Sequence, residues 1–382
     1  MASIPVIIDT DPGVDDILAI LLALASPELQ VLAIVVSYGN TEVNACYLNI
    51  IRLYEVLSKH LAANPADKQY WPNFSPERKP ILASGAAGPL QGESHSAQYF
   101  HGRDGLGDIT NRFPEFNPKV YVPGQEHPHL ILTVKPGVDV ILDLIRAEPE
   151  RSITYIALGP MTTLAQVVAT GGTLLKDRID RVVCMGGALD VPGNTSPVAE
   201  YNFLADPFAV HDLLVSPTVN FPLSRFILLP LDITTPHEVS FPEYIARVDP
   251  LFKDQVRPAS GRNPLVHFTS AFFERTREVM LEFGKDAIEL HDIAAVWCAI
   301  AKPTLPDLPG NDDHSWKFNK RQFQIERVGE YTRGMLVIDR REDVGAYAPG
   351  SNRSQVQAEL DKNPEFHPHG ASESTAVRAG GI

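Results

Sequence analysis

The chain has 382 residues, 44% of them hydrophobic, enough for one large or two ordinary domains with a substantial core. Its net charge of −14, from 33 basic against 47 acidic side chains, argues against non-specific binding to nucleic acid or an anionic membrane. No stretch reaches the ~18 unbroken apolar residues of a membrane span. Three widely spaced cysteines (Cys46, Cys184, Cys298) read as buried thiols in a reducing, cytoplasmic compartment, not as disulfides or a zinc site.

Residues 4–8 form an apolar, β-branched run that predicts a short buried strand. It leads into Asp9-Thr10-Asp11-Pro12-Gly13-Val14-Asp15-Asp16. Pro12-Gly13 supplies a turn, and Ile17 to Ala25 predicts a helix packed on a sheet. Asp15 and Asp16 fall at the helix start, where carboxylates cap free N–H groups. The run is too short, and too soon followed by acids, for a signal peptide. Val31–Tyr38 predicts a second strand ending at Gly39-Asn40, and residues 42–59 carry apolar side chains at helical spacing. Residues 62–79 are polar and Pro-bearing, an inserted loop, and Pro80–Ser84 is a short strand. The Gly-, Ser- and His-rich stretch from Gly85 to Asp108 predicts a loop able to cover a site, and residues 112–129 repeat the irregular character.

Farther on, Val138–Arg146 predicts a helix, Ile153–Leu158 a strand closed by Gly159-Pro160, then a helix to Ala169. Arg181–Met185 is another strand, closed by Gly186-Gly187 and a loop over 188–199. A helix to Val215, a strand at Phe226–Leu231, and helices over 241–254 and 265–283 follow. Ile288 to Ala301 holds His291-Asp292 and an apolar helix, and 321–339 alternates like an antiparallel hairpin. Residues 351–382 are polar and aperiodic, an extension beyond a single domain over 1–350. The β-α succession predicts an α/β fold: an open, mostly parallel sheet flanked by helices, with a C-terminal antiparallel hairpin.

Strand ends collect on one edge of such a sheet, the edge where ligands bind. There the chain places Asp11, Asp15, Asp16, Asn40, the Leu158 carbonyl, Asn194, Glu200 and Asn202. Four carboxylates within the span Asp9–Asp16 repel one another unless protons or a hard divalent cation, Ca²⁺ or Mg²⁺, offset them. An EF-hand loop needs Gly and Glu where Val14 and Ile20 stand. The set lacks the Lys/Arg clamps of a phosphoryl site and a Gly-x-Gly-x-x-Gly turn, and fits a neutral polyhydroxyl ligand such as a sugar. His291-Asp292 adds a candidate acid beside a candidate ligand; alone it reads equally as an Asp cap with an incidental His. Two other readings are a Mg²⁺-dependent phosphohydrolase with an Asp9-x-Asp11 pair, and a non-catalytic nucleoside- or sugar-binding protein.

The opening Asp9–Asp16 run resembles the signature of the calcium-dependent nucleoside hydrolases, the inosine–uridine-preferring family. Ser37-Tyr38-Gly39-Asn40, Ala157 to Thr162, Met185-Gly186-Gly187, Ala199 to Asn202 with Ala205-Asp206-Pro207, and His291-Asp292 resemble its later blocks, in order. The resemblance implies a Rossmann-like core and hydrolysis of the N-glycosidic bond of ribonucleosides. It implies Ca²⁺ held by Asp11, Asp16, the Leu158 carbonyl and Asp292, with Asp11 as general base. It further implies Asp15, Asn40, Asn194, Glu200 and Asn202 on the ribose hydroxyls, Met185 against the sugar, His101 lining the base pocket and His291 assisting the leaving base. A homodimer or homotetramer acting on small nucleosides is the implied assembly. The base preference stays open; Phe100, Phe268, Phe272 and Phe273 can stack on a base or pack a core.

Overall fold

A computed structural model describes residues 3–121, 125–218, 223–252, 262–303, 305, 316–340 and 362. By contacts the chain divides into Met1–Val337, which holds the whole α/β fold, and Ile338–Ile382. The expected domain end at 350 and the polar extension lie outside the described residues, Lys362 apart.

In chain order the first elements are β1 (Ile4–Thr10), α1 (Val14–Ala25), β2 (Leu29–Val36), α2 (Val43–Ala63), β3 (Ile81–Ser84), α3 (Gln98–His101), α4 (Ile109–Arg112) and β4 (Ile131–Leu132). Next come α5 (Gly137–Ala147), β5 (Ile153–Ala157), α6 (Thr162–Gly171), α7 (Leu174–Arg178), β6 (Ile179–Met185), α8 (Tyr201–Ala205), α9 (Pro207–Val210) and β7 (Phe226–Leu229). The last are α10 (Leu231–Thr234), β8 (Glu238–Ser240), α11 (Phe241–Arg247), α12 (Pro264–Glu282), β9 (Ala287–Glu289), α13 (His291–Ala301), β10 (Gln324–Ile325) and β11 (Leu336–Val337).

Seven strands form one sheet in the order β4-β3-β2-β1-β5-β6-β7, every pairing in it parallel. The central strands are buried on both faces, which explains their nearly unbroken apolar sequence. Alternation divides them between two cores: Val6 and Ile8 join one with α1, α2, α12 and α13, and Ile7 joins the other with α5 and α6. Each fully buried Ile there contributes about 1.5–3 kcal/mol relative to exposure. From β1 the chain winds one way through β2, β3 and β4, then returns to the other side of β1 with β5. The strand order therefore reverses between β1 and β5, and the crevice beyond their C-terminal ends is the place such sheets bind ligands.

Several elements differ from the sequence expectation. β4 and the β8–β9 ribbon, an antiparallel pair, were not anticipated, because strands of two or three residues carry too little period to be read. The helix expected over 241–254 ends at Arg247, and residues 253–254 lie outside the described ones. The hairpin within 321–339 is present, but only two residues of each strand pair. The 62–79 insertion is docked: Asn73 Nδ2 donates to the carbonyls of Ala23 (2.9 Å) and Ser26 (2.7 Å), and Phe74 is buried. All three cysteines are buried thiols. Among the described residues no helix is long and apolar enough to cross a membrane.

Candidate active site

Asp11 is the first residue past β1 and Asp16 lies in the first turn of α1. Asp16 organises the turn. Its carboxylate accepts from the Thr10 hydroxyl, the Asp11 N–H (3.2 Å), the Gly13 N–H (3.0 Å) and Asn40 Nδ2 (3.0 Å). The bond from Gly13 is a helix cap, so one carboxylate both starts α1 and fixes the strand-to-helix turn. Asp11 Oδ2 accepts from the Asn40 N–H at 2.7 Å, and Asn40 Nδ2 also reaches the Asp11 carbonyl (3.2 Å). Two glycines leave room for the Asp11 side chain: a Cβ on Gly39 would lie 1.9 Å from Asp11 Oδ2, and one on Gly159 would lie 2.5 Å from Asp11 Oδ1.

Asp292, second residue of α13, completes the acid cluster. Carboxylate oxygens of Asp15, Asp16 and Asp292 all lie within 4.8 Å of one another. Two ionised groups at that spacing repel by about 3.5 kcal/mol at an effective dielectric of ~20. Burial, then the neighbouring Asp16, pushes Asp11 and Asp292 well above the ordinary carboxylate range. The same two causes raise Asp15 to about 7. Such a group of hard oxygen donors, two of them buried and Asp15 half-buried, with no cationic side chain among them, suits a divalent ion, which reverses these shifts. Asp9 stands apart. It faces the opposite core, where Oδ2 accepts from the Tyr155 hydroxyl at 2.7 Å. Of the opening four acids, Asp15 and Asp16 belong to the group with Asp292, whereas Asp11 lines the adjoining cavity.

The remaining predicted residues gather around one cavity of about 340 Å³, which Asp11, Asp15, Asn40, His101, Leu158, Met185, Asn194, Glu200, Asn202, His291 and Asp292 all help to line. Glu200 accepts from the N–H groups of Gly187 (2.8 Å), Asn202 (2.7 Å) and Phe203 (3.1 Å) and so caps α8; burial raises its pKa. Asn202 Nδ2 donates to the Leu158 carbonyl at 2.6 Å, and Asn194 Oδ1 accepts from the Tyr201 N–H at 3.0 Å. His101 Nδ1 accepts from the Val14 N–H at 3.2 Å. Burial, then the nearby His291, lowers its pKa to about 3, so the ring is neutral with its proton on Nε2.

Tyr99, Phe100, Met280, Phe283, Lys285 and Glu289 also line the cavity. Of the aromatic residues that the sequence left between core and stacking, Phe100 lines the cavity, whereas Phe268, Phe272 and Phe273 pack in the core. Sequence reasoning missed Glu289. It accepts from His291 Nε2 (3.1 Å) and Lys285 Nζ (2.7 Å). Burial alone would raise Glu289, but these two bonds outweigh it and bring the carboxyl to about 2. The available signal was an acid two residues before His291, at the junction of β9 with α13.

The profile of the family described as "Inosine-uridine preferring nucleoside hydrolase" matches residues 6–366. The chain belongs to this family. It is accordingly a nucleoside hydrolase, an enzyme acting on the N-glycosidic bond of ribonucleosides. The chain is 29% identical over 338 residues to a pyrimidine-specific ribonucleoside hydrolase of Klebsiella pneumoniae, covering 88% of this chain and 89% of that one. It is 28% identical over 361 residues to the inosine-uridine preferring nucleoside hydrolase of Leishmania major, covering 93% of each. A solved plant nucleoside hydrolase shares the fold with a TM-score of 0.65 at 23% identity, over 94% of this chain and 98% of that one. An inosine-guanosine nucleoside hydrolase does so at 0.64 and 24%, over 93% and 91%.

Proposed function

We propose that this nucleoside hydrolase splits ribonucleosides into ribose and free base with Asp11 as general base and His291 as the acid that serves the leaving base. The observation that supports this reading is the acid cluster of Asp15, Asp16 and Asp292, with Asp11, Asp15 and Asp292 lining one cavity together with His291. A calcium ion held by Asp11, Asp16, the Leu158 carbonyl and Asp292 would supply a more acidic water and a mooring for the ribose 2′,3′-diol. The Leu158 carbonyl keeps a lone pair for such a role beside its bond to Asn202.

The chain's own groups do the rest. Asp11 takes a proton from the attacking water as its oxygen approaches the anomeric carbon. The bond to the base breaks with its electron pair going to the base, and positive charge develops on the sugar. Carboxylates already fixed around the cavity stabilise that charge without reorganising. His291 gives its proton to the departing base. Asp15, Asn40, Asn194, Glu200 and Asn202 offer acceptors and amides to the ribose hydroxyls, with Met185 against the sugar and His101 toward the base.

Among the described cavity residues the single Lys or Arg is Lys285, which is engaged by Glu238 and Glu289. A phosphoryl substrate therefore meets acids without a free cationic partner, so the phosphohydrolase reading is the weaker one. The test is a panel of ribonucleosides assayed for free ribose after EGTA treatment, with Ca²⁺ or Mg²⁺ added back. Ribose release restored by Ca²⁺ is expected. Full activity in EGTA, or release of phosphate from nucleotides instead, would overturn the reading.

A further inference from the structure

Both ring nitrogens of His291 are engaged. Nδ1 lies 2.9 Å from the Thr234 hydroxyl, and Nε2 lies 3.1 Å from a Glu289 carboxylate oxygen. The two partners differ in what they allow. A hydroxyl can donate or accept, so Thr234 satisfies Nδ1 in either state of the ring. A carboxylate only accepts, so Glu289 requires the proton on Nε2. They also differ in position: Thr234 is fully buried at the end of α10, whereas Glu289 lines the cavity. The nitrogen that carries the proton is thus the one on the cavity side.

Glu289 is itself held. It is the last residue of β9, directly across the ribbon from Glu238 of β8. Two like charges face one another there, and Lys285 Nζ binds both, Glu289 at 2.7 Å. The carboxylate is therefore tethered at one oxygen by Lys285 and presents the other to His291. Resting on the reading of His291 as the acid for the leaving base, we propose that Glu289 is its positioning residue. It fixes the ring plane and the Nε2 proton, and gives way to the acceptor atom of the base as the glycosidic bond breaks, while Lys285 retains the carboxylate.

The experiment compares inosine with p-nitrophenyl riboside, whose leaving group needs no proton, for Glu289→Ala, Glu289→Gln, His291→Ala and the double variant Glu289→Ala/His291→Ala. Glu289→Ala is expected to lose about tenfold more kcat on inosine than on the nitrophenyl substrate. Glu289→Gln, which still accepts from Nε2–H, should recover most of that loss. In the His291→Ala background, removing Glu289 should add less than twofold. The nitrophenyl activity reports that each variant is folded. Equal losses on both substrates for Glu289→Ala, or a full additive loss in the double variant, would overturn the role of Glu289 while leaving that of His291 intact. Equal losses on both substrates for His291→Ala itself would overturn the acid assignment and this proposal with it.

Discussion

Gly39→Ala is the sharpest test of how the Asp11 carboxylate is placed. An added Cβ would lie 1.9 Å from Asp11 Oδ2 and 2.6 Å from its Cγ, where ordinary contact begins near 3.4 Å. One side must move by about 1.5 Å. The Gly39 backbone is pinned, because its N–H donates to the Thr41 carbonyl (3.1 Å) and its carbonyl accepts from the Tyr201 hydroxyl (2.6 Å). The Asp11 side chain therefore yields, and its bond to the Asn40 N–H, 2.7 Å long, is broken. A displacement of about 1 Å in a reacting group costs on the order of 100-fold in rate, or about 2.7 kcal/mol of barrier. Gly159→Ala, with 2.5 Å to Asp11 Oδ1, demands about 0.9 Å and should also cost on the order of 100-fold, no more than Gly39→Ala. Leaving the Asn40 N–H buried without a partner adds about 1–3 kcal/mol of destabilisation, or about 1–4 °C in melting temperature for a chain of this length. The assay is kcat/KM for ribose release at saturating Ca²⁺, beside a thermal melt. A folded Gly39→Ala enzyme within threefold of wild type would refute the idea that the Asp11 position is set by the space these glycines leave.

Other outcomes follow from the same geometry. Asp11→Ala should lower kcat for ribose release by about 10³-fold; a variant within tenfold of wild type would remove Asp11 from the role of base. His291→Ala should slow inosine hydrolysis at least tenfold more than that of p-nitrophenyl riboside, measured by ribose and nitrophenolate release; parallel losses contradict a leaving-group role. Ca²⁺ at 100 times its Kd should add about 2.7 kcal/mol, a rise of about 3 °C in the melt relative to EGTA; superimposable melts would take the ion out of the acid cluster. His127 is buried between the rings of Tyr54 and Tyr121, and burial, then His129, lowers its pKa to about 4. The unfolded chain then binds more protons than the folded one below the usual pKa of ~6.5, so stability falls as pH drops from 6.5 toward 4. His127→Phe should flatten that acid limb in pH-dependent denaturation, and an unchanged slope would show that His127 does not contribute to it.

Much of the site was legible because its chemistry sits at element boundaries that sequence marks well. Asp9 to Asp16 couples a β-branched run, a Pro-Gly turn and a helix start, and in the fold that turn is held by the Asp16 carboxylate. Strand ends with Gly39-Asn40, Gly159 and Gly186-Gly187 could be placed on one edge without knowing strand order. Strand alternation was less informative about Asp9, because a carboxylate next to two others suggests a shared ligand, whereas its true partner, Tyr155, is a cross-strand neighbour 146 positions away. Helical aromatics were ambiguous for the same reason. Phe268, Phe272 and Phe273 recur at a spacing that suits a core face or a base stack, and only packing shows them interlocked with one another at 5.1–5.3 Å.

What sequence could not supply is the second ring of contacts, and the reason is physical. Glu289 matters through a three-residue strand paired to another three-residue strand, and neither has enough period to stand out. Yet that ribbon is what brings Lys285, Glu238 and Glu289 together on the cavity side of His291. Asp11 and the first turn of α1, with Asp15 and Asp16, follow β1, a central strand of the parallel sheet, whereas Asp292 stands on α13 next to His291. The His291 side is built on a two-stranded ribbon outside that sheet. Asp11, Asp15 and Asp16 thus stand beside the central sheet, while His291 and Glu289, which on the proposed reading serve the leaving base, stand where side-chain bonds to Lys285 and Glu238 hold the ribbon. Substitutions at Lys285, Glu238 or Glu289 should therefore alter the ranking of nucleosides by base more than the rate of hydrolysis of a substrate without one. A nucleoside panel on Lys285→Met measures this, and a uniform loss across all bases and p-nitrophenyl riboside would show that the ribbon supports the whole site instead.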